Sequence, residues 1–274
     1  MVELSPSDIS AFQETILGHF RESGRSFPWR ETRDPYAILV SEMMLQQTQT
    51  ERVVPKYLAW LASFPDAKTL ADAPLSDVLG LWVGLGYNRR ARFLHEACKR
   101  VVRDFGGIFP QDPERLRELP GIGPYTASAV STFAFDKPNV FIETNIRSVF
   151  LFFFFPDAES VPDSELLPLI SRTIDVRDPR SWYYALMDYG AELKKKVKNP
   201  NRKSAHYSKQ SKFDGSLRQA RGAIVRSLGS PGRKTLAEIA AETEIDYERI
   251  KKAAEGLLAE GLIERNGDTY RIGD

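Results

Sequence analysis

The chemistry open to this chain concentrates in three stretches. Leu116 to Thr126, Leu-Arg-Glu-Leu-Pro-Gly-Ile-Gly-Pro-Tyr-Thr, has the form of a tight hairpin between two short helices. Pro120 ends the first, because it lacks an N–H and restricts the residue before it. Gly121 and Gly123 permit positive φ and leave no side chain in the way. The amides from Ile122 to Tyr125 then stand at the start of the next helix, where amides bind phosphate without reading base sequence; an ordinary Gly-Pro bend between helices has the same form. Glu42 sits among Val40, Met43, Met44 and Leu45, an apolar setting in which burial raises a carboxyl pKa and makes it a candidate general acid. On its own, a glutamate on a helix surface has the same pattern. The third stretch, Lys194 to Arg221, holds ten Lys/Arg with Asp214 as its one acid, net +9 in a chain of net +1, which leaves −8 elsewhere. A block this dense fits a local polyanion contact or a solvated basic linker.

Size and composition bound the rest. At 274 residues, 42% apolar and 27% charged, the chain has room for one large domain or two smaller ones with proper cores. Its one cysteine, Cys98, excludes an internal disulfide and a multi-cysteine metal site, and its helical context assigns it to packing. Three histidines show no metal-ligand spacing. The longest apolar run, Val149 to Phe155, is too short to span a bilayer. Met1-Val-Glu-Leu-Ser-Pro6 lacks a basic region followed by an apolar stretch, so no signal peptide is expected and a cytoplasmic, nucleoid-associated location is.

The elements that must position these residues are helical. Apolar residues recur at helical spacing over Ile9–Phe20, Ile38–Leu45, Val53–Phe64, Val78–Leu81, Ala91–Phe105, Leu116–Leu119, Tyr125–Phe135, Ile146–Phe155, Ser164–Thr173 and Ser181–Tyr189. Phe-Pro pairs, Gly106-Gly107 and single prolines separate them. The Phe152–Phe155 cluster is expected in the core. After residue 220 the pattern changes. Ala220–Leu228 reads as a helix, Thr235 with Glu238 as a capping box, and Asp246 as the cap of Tyr247–Glu260, which Gly261 ends. Leu262 to Arg265 and Thr269 to Ile272 read as two strands around Asn266-Gly267. Three helices and a hairpin predict a winged helix, with Arg249, Lys251 and Lys252 exposed on its second recognition-type helix, for use on DNA or in a protein contact.

Phe27-Pro-Trp-Arg, Asp34-Pro-Tyr, Ser41-Glu-Met-Met-Leu-Gln-Gln-Thr-Gln49, Gly84-Leu-Gly-Tyr87, Leu119-Pro-Gly-Ile-Gly123 and Glu143-Thr-Asn-Ile-Arg147 follow one another in that order. From about Phe27 to Gly190 the chain resembles the helix-hairpin-helix (HhH-GPD) DNA glycosylases, most closely the adenine DNA glycosylases. Ser41–Gln49 is the specific part of the match. The resemblance implies an all-α, two-lobed fold: a glycosylase core over 1–193, a basic loop over 194–219 and a winged-helix domain over 220–274. It implies double-stranded DNA as partner, a monomer and no membrane.

Breaking an N-glycosidic bond needs an acid to protonate the leaving base and a carboxylate to stabilise the cationic sugar and guide water. By resemblance, Glu42 is the acid, Glu143 is that carboxylate and Asn145 orients Glu42. Tyr125 occupies the position where bifunctional relatives carry a Schiff-base lysine, so a monofunctional hydrolase is implied. Gln47 and Tyr87 match residues that enter the base stack when a base is extruded. Gln46, Thr48, Arg89, Arg90, Gly121, Ile122, Gly123, Arg147, Lys194, Lys195, Arg202 and Lys203 complete the implied DNA-binding set.

Three departures bear on function. Glu143 replaces the aspartate usual in the superfamily, carrying its charge one methylene further. Ala191 to Gly215 contains no cysteine, so the [4Fe–4S] cluster of most relatives cannot form there and no cofactor is expected, with a monovalent cation at the hairpin carbonyls as the one candidate ion. The basic segment is expected to be an ordered loop in the cluster's place, with His206 and Tyr207 as buried anchors or, alternatively, as functional residues. Only about 55 residues stand where full-length adenine glycosylases carry a Nudix-like domain that recognises 8-oxoguanine. The resemblance makes excision of adenine opposite 8-oxoguanine or guanine the first expectation, and the short C-terminal part counts against the 8-oxoguanine pair. Removal of uracil, thymine or another damaged base from mismatches, and a non-catalytic DNA-damage-binding role, stay open beside it; a winged-helix regulator is the remotest alternative.

Overall fold

Ala91, Leu94, Ala97, Cys98 and Val101 recur at helical spacing, and all are buried on one face of a single helix. That pattern repeats along most of the chain. The computed structural model describes residues 3–208, 212–229 and 232–273. In chain order the helices are α1 Pro6–Ser23, α2 Pro35–Leu45, α3 Thr50–Ser63, α4 Ala67–Asp72, α5 Leu75–Trp82, α6 Arg89–Phe105, α7 Pro113–Arg117, α8 Pro124–Phe135, α9 Thr144–Phe154, α10 Asp163–Thr173, α11 Pro179–Lys196, α12 Leu217–Leu228, α13 Leu236–Thr243 and α14 Tyr247–Ala259. Short strands β1 Lys234–Thr235, β2 Ile263–Asn266 and β3 Thr269–Ile272 complete the elements. The fold is accordingly mostly helical. No helix among the described residues is long and apolar enough to cross a membrane.

The chain divides into two compact units. The first comprises residues 1–38, 111–117 and 122–209. In it α1, α9, α10 and α11 pack together, and α8 packs on α7 and α11. Phe12 meets Phe150, Phe153, Phe154 and Trp182 edge to face, at 5.0 to 5.8 Å between ring centres. Buried Asp188 accepts hydrogen bonds from Arg25 and Arg30 at 2.7 to 2.8 Å, and those two cations hold its carboxyl below the usual range against the cost of burial. The phenylalanine cluster departs from expectation: Phe152, near the C-terminal end of α9, is exposed, and Phe153 to Phe155 are half-buried.

The second unit comprises residues 39–110, 118–121 and 210–274. There α4 and α5 pack on α6, with Trp60 and Trp82 crossing edge to face at 5.5 Å. Helices α12, α13 and α14 pack on one another, and α12 also touches α5. The capping box of Thr235 and Glu238 and the Asp246 cap form as the sequence predicts. A strand that was not expected, β1, joins the hairpin, giving the antiparallel order β1-β3-β2 with Lys234 opposite Tyr270 and Ile263 opposite Ile272. Arg92 of α6 lies against the Gly261 backbone, where a Cβ would collide with the guanidinium.

Candidate active site

Helix α2 places Glu42. Asp34 accepts from the amides of Tyr36 and Ala37 and starts the helix, and Tyr36 to Met44 are then buried without interruption. A helix apolar all round belongs in a core. Glu42 is 6% exposed within it, so the acid stands in the apolar wall that the sequence indicated.

The turn after α2 and the loop after α5 are tied to one side chain. The guanidinium of Arg90, itself buried, donates to the carbonyls of Met43 (2.7 Å), Met44 (3.1 Å), Gln46 (2.6 Å), Leu85 (3.3 Å) and Gly86 (3.0 Å), and to Thr48 Oγ1 (3.3 Å). Burial among these neutral acceptors pulls its pKa down to about 10, and it stays charged at neutral pH. The two loops so pinned carry Gln47 and Tyr87. Both are exposed and both hold left-handed backbone, φ +55° and +49°. Two non-glycine residues in that region, at the tips of loops clamped by one cation, mark stored strain. Gly84 and Gly86, at φ +98° and +72°, give the second loop its bend. Gln46 approaches Met43 Sδ at 3.6 Å. Arg89 points outward over the Phe93 ring, 4.8 Å from its centre.

The 119–123 stretch forms the expected bend between α7 and α8. Gly121 has φ +74°, and a Cβ there would run into the Phe93 side chain. Gly123 caps α8 and Pro124 takes its first position, so the amide series named from Ile122 to Tyr125 is interrupted at Pro124. Ile122 is buried, and Tyr125 packs edge to face on Phe141 at 5.7 Å.

Glu143 is the N-cap of α9. Its Oε1 accepts from the amides of Asn145 (2.7 Å) and Ile146 (2.8 Å), and its Oε2 from Asn145 Nδ2 (3.2 Å). Despite its extra methylene the glutamate thus makes the cap that a shorter acid makes. Burial raises its pKa, opposed by the two amides and by the charges of Lys194 and Arg147. Asn145 thus holds both carboxylate oxygens of Glu143, one through its backbone amide and one through its side chain.

The profile of HhH-GPD superfamily base excision DNA repair proteins matches residues 40–169. Over 273 residues the chain is 31% identical to the adenine DNA glycosylase of Mycolicibacterium smegmatis, covering 92% of each. The chain belongs to the HhH-GPD superfamily. It is also 36% identical over 185 residues to the adenine DNA glycosylase of Buchnera aphidicola subsp. Baizongia pistaciae, 66% of this chain and 52% of that one. The chain thus spans about half the length of several curated relatives it matches. A thermostable thymine-DNA glycosylase superposes with TM-score 0.60 at 28% identity, over 67% of this chain and 86% of that one.

On this HhH-GPD frame part of the basic segment clasps α9, while His206 and Tyr207, expected as buried anchors, are exposed. The segment begins inside α11 and ends inside α12, with residues 209–211 outside the described ones. Asn201, 4% exposed, donates to Thr144 O at 2.9 Å and to Ser148 Oγ, and Lys203 donates to the carbonyls of Phe155 (2.9 Å) and Pro156. Val161 and Ser204 form a bridge. Arg147 pairs with Asp163 through two bonds of 2.7 Å. Of the implied DNA-binding cations, Arg90, Arg147, Lys194 and Lys203 therefore donate inward to protein acceptors, while Arg89, Lys195 and Arg202 are exposed. Among the described residues no cluster of His, Cys, Asp and Glu could hold a metal ion, and buried Cys98 lies on α6 in the second unit, outside the 191–208 segment. Asn201 and the clamping role of Arg90 escaped sequence reasoning. A polar Asn-Pro-Asn inside a basic block was the one available signal for the first.

Proposed function

We propose that this chain is a monofunctional DNA glycosylase that hydrolyses the N-glycosidic bond of an extruded adenine mispaired with 8-oxoguanine or guanine. The observation that carries the reading is the Glu143 carboxylate, fixed by two backbone amides and Asn145 yet left partly open to solvent. A fixed anion of that kind stabilises a sugar cation as it develops. In the proposed reaction the C1′–N bond breaks, Glu42 gives its proton to the departing base, and water forms the C1′–O bond. The proton that water loses passes to solvent and is regained by Glu42. Tyr125 offers no amine, so the product is an abasic site without strand cleavage. Gln47 and Tyr87 fill the stack that the base leaves. Adenine as substrate rests on the names of the relatives at 31% and 36% identity.

The hairpin amides, Arg89, Lys195 and Arg202 hold the DNA backbone. Helices α12–α14 with their sheet act as a winged helix that adds grip on double-stranded DNA. The protein works as a monomer in the cytoplasm on the nucleoid. A second reading, excision of thymine or uracil opposite guanine, draws on the fold likeness to a thymine-DNA glycosylase. Incubating pure protein with duplexes carrying A:8-oxoG, A:G, T:G, U:G and hypoxanthine, then cleaving abasic sites with alkali, decides between them. Adenine release without nicking before alkali is expected. Release confined to T:G and U:G replaces the first reading by the second, and no release from any duplex overturns both.

A further inference from the structure

Helix α11 does not stop at the end of its apolar pattern but runs on to Lys196, and at Gly190 it lies directly against the Asn145 backbone of α9. A Cβ at Gly190 would meet the Asn145 carbonyl group, so only glycine lets the two backbones come this close. One turn further along α11, Lys194 is brought over the first turn of α9, and its Nζ donates to Asn145 Oδ1 at 2.8 Å. That bond decides how the Asn145 amide lies. With Oδ1 taken by the ammonium, Nδ2 is turned to Glu143 Oε2 at 3.2 Å, while the backbone N–H of the same asparagine holds Oε1 at 2.7 Å. An amide turned the other way would set Oδ1 against the carboxylate oxygen and a donor against the ammonium.

We infer that Lys194 is a positioning residue of the catalytic centre, which fixes the Asn145 amide and through it the Glu143 carboxylate, rather than a contact to the DNA backbone. The inference rests on the reading of Glu143 as the carboxylate that serves the reaction. Its neighbours on α11 behave differently: Lys195 is exposed and Lys196 pairs with Glu192 at 2.5 Å. The other cation that acts on Glu143 is Arg147, one turn along α9, and its guanidinium is already engaged at both ends by Asp163 of α10. Lys194 is thus the cation whose hydrogen bond goes to the Glu143–Asn145 pair. Burial lowers its pKa, Glu143 works against that, and Arg147 adds to it.

The test uses Lys194→Met, which keeps the stem and removes both donor and charge, beside Lys194→Arg and the wild type. Single-turnover excision by Lys194→Met is expected to fall about 10- to 100-fold, the size of effect that a displaced catalytic group produces. Its acid limb should move to higher pH, because Glu143 loses a cation that favours its ionised form. Affinity for undamaged duplex and its salt dependence should stay those of the wild type. Lys194→Arg should recover part of the rate. A loss of affinity for undamaged duplex, with a log–log salt slope shallower by about 0.9 and an unmoved acid limb, would make Lys194 a phosphate contact and overturn the inference. A readout free of DNA runs alongside: the ammonium titration of Lys194, followed by NMR in full-length protein, should fall to lower pH in Glu143→Gln. An unmoved titration in a folded variant also overturns the inference. If the titration responds but wild-type protein releases no base, the coupling stands and the proposed function fails.

Discussion

Arg218, at the start of α12, donates to the hydroxyl of Tyr87 at 3.0 Å, and its guanidinium carbon lies 5.8 Å from the centre of the same ring. Arg90 approaches that ring at 5.5 Å. Tyr87 is therefore held by a residue 131 positions later in the chain, on the helix that opens the C-terminal helical subdomain. Its strained backbone, φ +49°, makes such support consequential. Arg218→Ala is expected to slow base release several-fold at saturating protein while leaving affinity for undamaged duplex within about twofold. The measurement is single-turnover kinetics beside fluorescence anisotropy. Equal loss on damaged and undamaged duplex would assign Arg218 to the DNA backbone instead.

Arg90 should behave as a structural clamp. Replacing it by methionine removes a donor from five carbonyls, of which Gln46 keeps Thr48 Oγ1 and Gly86 keeps Trp82 Nε1, at a cost of about 1–3 kcal/mol per group left dry and unpaired. Denaturant unfolding should show a drop of several kcal/mol for Arg90→Met and a smaller one for Arg90→Lys, which keeps the charge but not the fork. Unchanged stability together with a flatter salt dependence of binding would mean that the side chain faces phosphate in solution.

The two proposed catalytic acids should separate in their variants. Glu42→Gln keeps shape but delivers no proton, so excision should vanish within detection while DNA binding persists. Activity within a few-fold of wild type would remove Glu42 from the role of acid. Glu143→Asp should keep partial activity, because aspartate is an even better N-cap and retains the charge. In the proposed reaction the charged form of Glu143 is the active one. Since burial raises its pKa, the rate should decline with falling pH at values above those where an exposed glutamate titrates. An acid limb that does not shift between wild type and Glu143→Asp counts against this assignment.

His95 predicts a pH dependence of stability. It is 1% exposed on α6, and burial, with Lys99 one turn away, lowers its pKa against the opposing pull of Glu96 and of the Ala71 and Ala73 backbone. The folded state resists the proton that the unfolded state accepts near pH 6.5. Stability is therefore lost as pH falls below about 6.5, by up to about 1.4 kcal/mol per pH unit, until the lowered folded value is reached. His95→Leu should flatten the acid side of a melting-temperature profile between pH 7 and 5. A profile identical to wild type would show that His95 takes up its proton without cost.

What the sequence determined by itself is local. The capping box of Thr235 and Glu238, the Asp246 cap, the bend at Pro120-Gly121 and the amphipathic face of α6 each follow from residues within a few positions of one another. Hydrogen bonds and apolar periodicity of that range are written in the spacing, so these elements and the order of the family's motifs were legible. The tertiary structure decided which polar side chains face inward. Arg90 and Lys194 belong to the implied DNA-binding set, yet Arg90 is bound to carbonyls 44 to 47 residues earlier and Lys194 to an amide 49 residues earlier. Asn201 finds Thr144 across 57 positions, and Phe152 turns outward from a run of apolar neighbours. An arginine or lysine has the same local pattern whether its acceptor is water, phosphate or a main-chain carbonyl. Only the arrival of distant backbone at the same place supplies the acceptors that make burying the charge affordable.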